Sequence, residues 1–152
     1  MFEEVLSKVL SEALNVATVI VSCESERLKV PKPNLKYTED IMVKTEGRIY
    51  GAYDEKTATI YISVKSIKNL LEKWLKRAPK TEFWLNFYRK QTVKLTVEMF
   101  LHEFKHHVDY VKKTLTPEAY AKNPKKYDII ADAYAKRTLK RYQHQIENLK
   151  YF

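Results

Sequence analysis

The sequence predicts an α+β fold, helix-rich, with a short sheet of three to four strands packed against one long helix. Three observations lead there. Most of the chain's 152 residues fall in stretches whose apolar side chains recur every three or four positions. Thr57 to Val64 instead alternates with period two, the spacing of a half-buried strand. Glycine occurs only twice, at Gly47 and Gly51, which favours a rigid, helical chain. The length suits one domain spanning residues 1–152, and 45% hydrophobic residues suffice for a core.

In chain order, Phe2 to Leu14 has helical spacing through Phe2, Val5, Leu6, Val9, Leu10 and Leu14. Val16 to Ser22 is rich in β-branched residues and reads as a strand. Arg27 to Asp40, with Pro31 and Pro33, reads as a loop or an irregular strand. Arg48 to Tyr53 and Thr57 to Val64 form a hairpin around Asp54-Glu55-Lys56. Ser66 to Arg77 is an amphipathic helix ended near Pro79, and Thr81 to Tyr88 is a helix start or an aromatic connector. Thr92 to Leu115 is a long helix stopped by Pro117. A loop carrying Pro117 and Pro124 leads to a last helix from Tyr127 to about Leu149.

On a helical wheel, Val93, Val97, Phe100, Leu101, Phe104, Val108 and Val111 form the core stripe of the long helix. Lys94, Glu98, Lys105 and Lys112 form a charged face. His102 and His106 stack on a third face, which Leu95 and Met99 share, so the two histidines are expected to look into a partly enclosed site. His107 is turned about 100° from His106 and does not join them.

His102-Glu103-Phe104-Lys105-His106 is an H-E-x-x-H sequence. Two imidazoles one turn apart can bind a single zinc ion, and the intervening Glu projects beside the metal, where it can act as a base. A solvated or core-satisfied histidine cluster is the plainer alternative. A third protein ligand is expected. The spacing of a third histidine in metzincins would require Gly at 109 and His at 112, where this chain has Asp109 and Lys112. His144, the one remaining histidine, is a poor candidate deep in the last helix. Cys23 is alone, which excludes an intrachain disulfide and a cysteine-based zinc site.

Together with Asp128-Ile129-Ile130-Ala131-Asp132, the H-E-x-x-H helix resembles the gluzincin branch of the zincin metallopeptidases, including small SprT-like and minimal gluzincin domains. In that branch E-x-x-A-D follows on the next helix. The resemblance implies a zincin-like domain in which Asp128 is the third zinc ligand, Ala131 lets the helices approach and Asp132 hydrogen-bonds a ligand histidine. It departs from the family by carrying Asp128 where Glu is usual. Shorter helix separation, ligation by Asp132 instead, or a degraded site would each accommodate that. The resemblance also implies an edge strand above the metal helix that pairs with extended substrate, for which Thr57 to Val64, with Thr57, Thr59 and Tyr61, is the candidate.

The expected activity is hydrolysis of a protein or peptide, with one zinc ion per chain and Glu103 as general base. Tyr127, Tyr134 and Lys105 are candidate donors to the oxyanion. The net charge of +9 favours nucleic acid as a further partner, and an inactive zincin-like domain that binds nucleic acid or protein through this basic surface is the rival reading. The N-terminus opens with acids, and the apolar run Ala13 to Val21, with Asn15 and Thr18, is far shorter than the roughly 20 residues that span a bilayer. A soluble, cytoplasmic protein with no membrane partner is expected.

Overall fold

A computed structural model describes residues 2–41 and 49–144. The order is α1 (Phe2–Leu28), β1 (Asn34–Thr38), β2 (Gly51–Asp54), β3 (Thr59–Ser63), α2 (Val64–Arg77), α3 (Glu82–Val111), α4 (Pro117–Lys122) and α5 (Pro124–Arg141). The helix-rich α+β architecture matches the expectation. Arg48 of the hairpin and residues 145–149 of the last helix lie outside the described residues.

α1 is one helix of 27 residues, and the strand expected over Val16 to Ser22 is its second half. The β-branched residues there continue the helical stripe: Val9, Ala13, Ala17 and Ile20 are fully buried on one face. Burial along that face outweighs the small helix cost of β-branching. The helix stops at Lys29, which takes the left-handed conformation (φ 58°) while Val30 N–H donates to Ser25 O at 3.0 Å. By length and composition α1 could cross a membrane, contrary to the short-run reading. It nevertheless lies in the core, where Glu12 pairs with Arg89 of α3.

β3 is the middle strand, in the order β1-β3-β2. It runs parallel to β1 and antiparallel to β2, with Gly51 opposite Ile62 and Tyr53 opposite Ile60. The expected hairpin is therefore present, but the edge assigned to Thr57, Thr59 and Tyr61 is not. Thr59 and Tyr61 lie in β3, paired on both sides, and Thr57 sits in the turn, where its Oγ1 donates to Asp54 Oδ2 at 2.9 Å. The β1 segment, read as a loop or irregular strand, supplies the third strand.

α3 is the hub. It packs against α1, α2, α5, β2 and β3, and Val93, Val97, Phe100, Leu101 and Phe104 are fully buried on it. Val111, assigned to this stripe, is exposed because the helix ends there. Thr81 caps its start and no glycine or proline interrupts Glu82–Val111, so the aromatic segment and the histidine segment form one rod about 45 Å long. Pro117 and Pro124, read as loop markers, each open a helix: Thr116 caps α4 and Asn123 caps α5. Proline is preorganised for the first helical turn, where its missing N–H costs nothing.

Candidate metal centre

α3 presents His102 and His106 one turn apart, their rings meeting edge to face at 4.9 Å. α5 crosses this face and brings Asp128 to both. Asp128 Oδ1 lies 3.4 Å from His102 Nε2 and 3.1 Å from His106 Nε2. A tetrahedral zinc with bonds of about 2.0–2.1 Å holds its donor atoms about 3.3 Å apart. Both separations match such an edge, and one donor atom from each of the three residues lies within 4.8 Å of the others. The arrangement fits a divalent ion of the zinc type.

The shorter Asp128 side chain reaches because α3 and α5 pack closely through Ala131 and Ala135, both fully buried. Asp132, one turn beyond Asp128, accepts a hydrogen bond from His102 Nδ1–H at 2.6 Å. That bond orients the ring and leaves Nε2 with its lone pair toward Asp128 and His106. It places Asp132 behind the histidine and Asp128 among the three convergent donors. Burial, reinforced by the neighbouring His102, lowers the pKa of His106 and favours the neutral imidazole that a metal requires.

Glu103 follows His102 on α3 and is buried, close enough to His102, Asp128 and Asp132 for their charges to act on it. Its Oε2 has no hydrogen-bond partner within the described structure. Burial raises its pKa to about 7, with Asp128 and Asp132 adding to the rise and His102 opposing it. A carboxyl group poised there can take and return a proton near neutral pH. Its stem packs against Gly51 of β2, so β2 is the edge strand beside this group.

Two expected donors are committed elsewhere. Tyr134 Oη is buried and donates to Glu24 at 2.9 Å, and Lys105 Nζ donates to Asp109 at 2.9 Å. Tyr127 is half-buried, its ring 6.4 Å from that of Tyr120 and beneath the Lys126 ammonium. Sequence reading passed over Tyr120, which sits on the unanticipated helix α4. Its hydroxyl donates to Asp128, with Oδ1 at 2.9 Å and Oδ2 at 3.1 Å, and its ring meets His106 at 5.4 Å. Burial and the Asp128 carboxylate raise its pKa and keep it a proton donor. The signal for it in the sequence was Thr116-Pro117, a helix cap followed by an N1 proline. On the same face, Leu95 is exposed and Met99 packs against the core. His144 lies exposed beyond the end of α5 and does not join the cluster. His107 is fully buried and structural: Nε2–H donates to Pro31 O and Nδ1 accepts from Tyr53 Oη, each at 2.7 Å.

No family model matches the sequence, and comparisons with curated proteins and with solved structures returned no match.

Proposed function

We propose that this protein is a zinc-dependent peptidase of gluzincin-like design that works in the cytoplasm. The observation that carries the reading is the convergence of His102, His106 and Asp128 at tetrahedral donor spacing, beside the unpartnered, buried carboxyl of Glu103. The exposed thiol of Cys23 suits a reducing compartment.

His102, His106 and Asp128 would hold the ion, and Asp132 would keep His102 in register. When bound, the ion would act as a Lewis acid toward a water molecule and the substrate carbonyl. Glu103 takes the proton of the attacking water and returns it to the leaving amine nitrogen. Tyr120, whose hydroxyl lies beside Asp128, would donate to the oxygen on which negative charge develops. The outer edge of β2, which no described strand covers, would pair with extended substrate through main-chain hydrogen bonds.

Metal analysis of untagged protein, paired with cleavage of a denatured protein substrate, tests this reading. About one zinc per chain and chelator-sensitive cleavage are expected. Glu103→Gln should keep the zinc and lose turnover by about 100-fold or more. Full turnover in that variant, or protein that takes up no zinc, would sink the proposal and leave a binding domain.

A further inference from the structure

The opposite end of α3 carries a second feature that hydrolysis does not use. Phe83, Trp84, Phe87 and Tyr88 on its first two turns join Trp74 of α2 in a continuous array of rings. Trp84 stacks on Tyr88 at 5.9 Å with planes 27° apart, Trp74 meets Tyr88 at 5.5 Å, and Phe83 meets Trp84 edge-on at 5.3 Å. Phe83 is 68% exposed and Phe87 is 39% exposed. Leaving a phenylalanine in water forgoes free energy that burial would return, and here two partly exposed rings stand one turn apart.

The corner is also basic. Lys73, Lys76 and Arg77 on the second half of α2 and Lys80 in its connection to α3 are exposed, against the acids Glu72 and Glu82. None of these four cations forms an ion pair among the described residues, so their charge faces outward. Rings with open faces framed by unpaired cations match a partner that combines flat aromatic groups with a regular run of negative charge.

We propose that this corner binds single-stranded polynucleotide, its bases stacking on Phe83 and Phe87 and its phosphates meeting Lys73, Lys76, Arg77 and Lys80. An anionic membrane shares the charge requirement. It would be served by exposed aliphatic side chains beside the aromatics, and the exposed large apolar residues in this corner are both phenylalanine. The platform lies about 28 Å along α3 from His102, the rise of 19 residues, so polynucleotide and peptide would occupy separate ends of one helix.

Trp74 and Trp84 are the only two tryptophans in the chain, and both belong to the array. Tryptophan emission, excited selectively over the eleven tyrosines, therefore reports on this corner. The test titrates full-length protein with an oligothymidylate at low and moderate salt, in chelator so that metal binding plays no part. Expected are quenching of tryptophan emission, binding that weakens steeply with salt, and a loss of affinity of about tenfold or more in Phe83→Ala/Phe87→Ala. Replacing Lys76, Arg77 and Lys80 by Gln should reduce the salt slope. Far-ultraviolet dichroism checks that each variant folds. Unchanged emission, or binding that survives loss of both phenylalanines, overturns the proposal. So does a blue shift with anionic phosphatidylserine vesicles in the absence of oligonucleotide quenching, which assigns the corner to a membrane. None of these outcomes depends on whether the metal centre is active.

Discussion

A Cβ added at Gly51 would meet Ile62 Cδ1 at 2.8 Å, Glu103 Cγ at 3.0 Å and the Tyr61 carbonyl at 3.2 Å. The carbonyl belongs to the paired middle strand and cannot yield, so the Glu103 stem or the Ile62 methyl must. Gly51→Ala is expected to cost about 1–3 kcal/mol of stability by overpacking. It should also lower kcat by displacing the base while zinc content stays at the wild-type level, measured by metal analysis alongside peptide cleavage. Asp132 holds the His102 ring by its Nδ1–H. Asp132→Ala frees the His102 ring, and zinc affinity should fall by about 10- to 100-fold in competition with a chelating dye. Unchanged affinity would remove Asp132 from the centre. That His102 and His106 share a face was legible from helical periodicity, and Glu103 from its place in H-E-x-x-H, whereas Asp128 and Asp132 were pointed to by the resemblance to the gluzincin pattern. Gly51 and Tyr120 were not legible, since what they touch is fixed by strand pairing and helix packing across long stretches of chain.

Among the elements, α5 has to be held against α3 for Asp128 to reach the histidines, and much of that hold comes from α1. Glu24, with no exposed side-chain surface, accepts hydrogen bonds from Arg27 of its own helix, from Tyr134 and Arg141 of α5, and from Tyr142 just beyond it. Burial opposes its charge, yet the hydrogen bonds from Arg27 and Tyr134 prevail and lower its pKa from 4.5 to about 2. Because the folded value is the lower one, the stabilisation is complete above about 4.5 and disappears as pH falls toward about 2. Glu24→Gln should therefore lose about 3 kcal/mol at neutral pH. The gap to wild type in urea unfolding should narrow across that acid window. A gap that stays constant down to the lower limit would exclude Glu24 as its source. The two phases of α1, a helical first half and a β-branched second half, looked like two elements in the sequence. Only the buried stripe through Val16, Ala17 and Ile20 shows them to be one.

For the whole molecule, the β2–β3 hairpin and the helices α2, α3 and α5 were readable from periodicity, while the second half of α1, strand β1, the strand order and helix α4 were not. β3 becomes central because β1, hidden in a proline-bearing stretch, pairs with it in parallel. No local pattern announces a partner some 25 residues away in the chain. Ligand binding to the folded state offers a global check. Zinc at about a thousand times its dissociation constant should add about 4 kcal/mol, raising the Tm of wild type and of Glu103→Gln but not of His106→Ala. An equal rise in all three would place the metal elsewhere. The contact between His106 and Asp128 spans 22 residues of chain, with α4 and both its connectors inside the span. An ion shared by those two side chains is, in polymer terms, a reversible crosslink that closes a loop of that size. By the loop-entropy relation used for disulfides it would remove about 3 kcal/mol of freedom from the unfolded chain. Chelation would then act on the chain's topology as well as its chemistry. The segment around α4 would be the first to become open to nicking by an added protease.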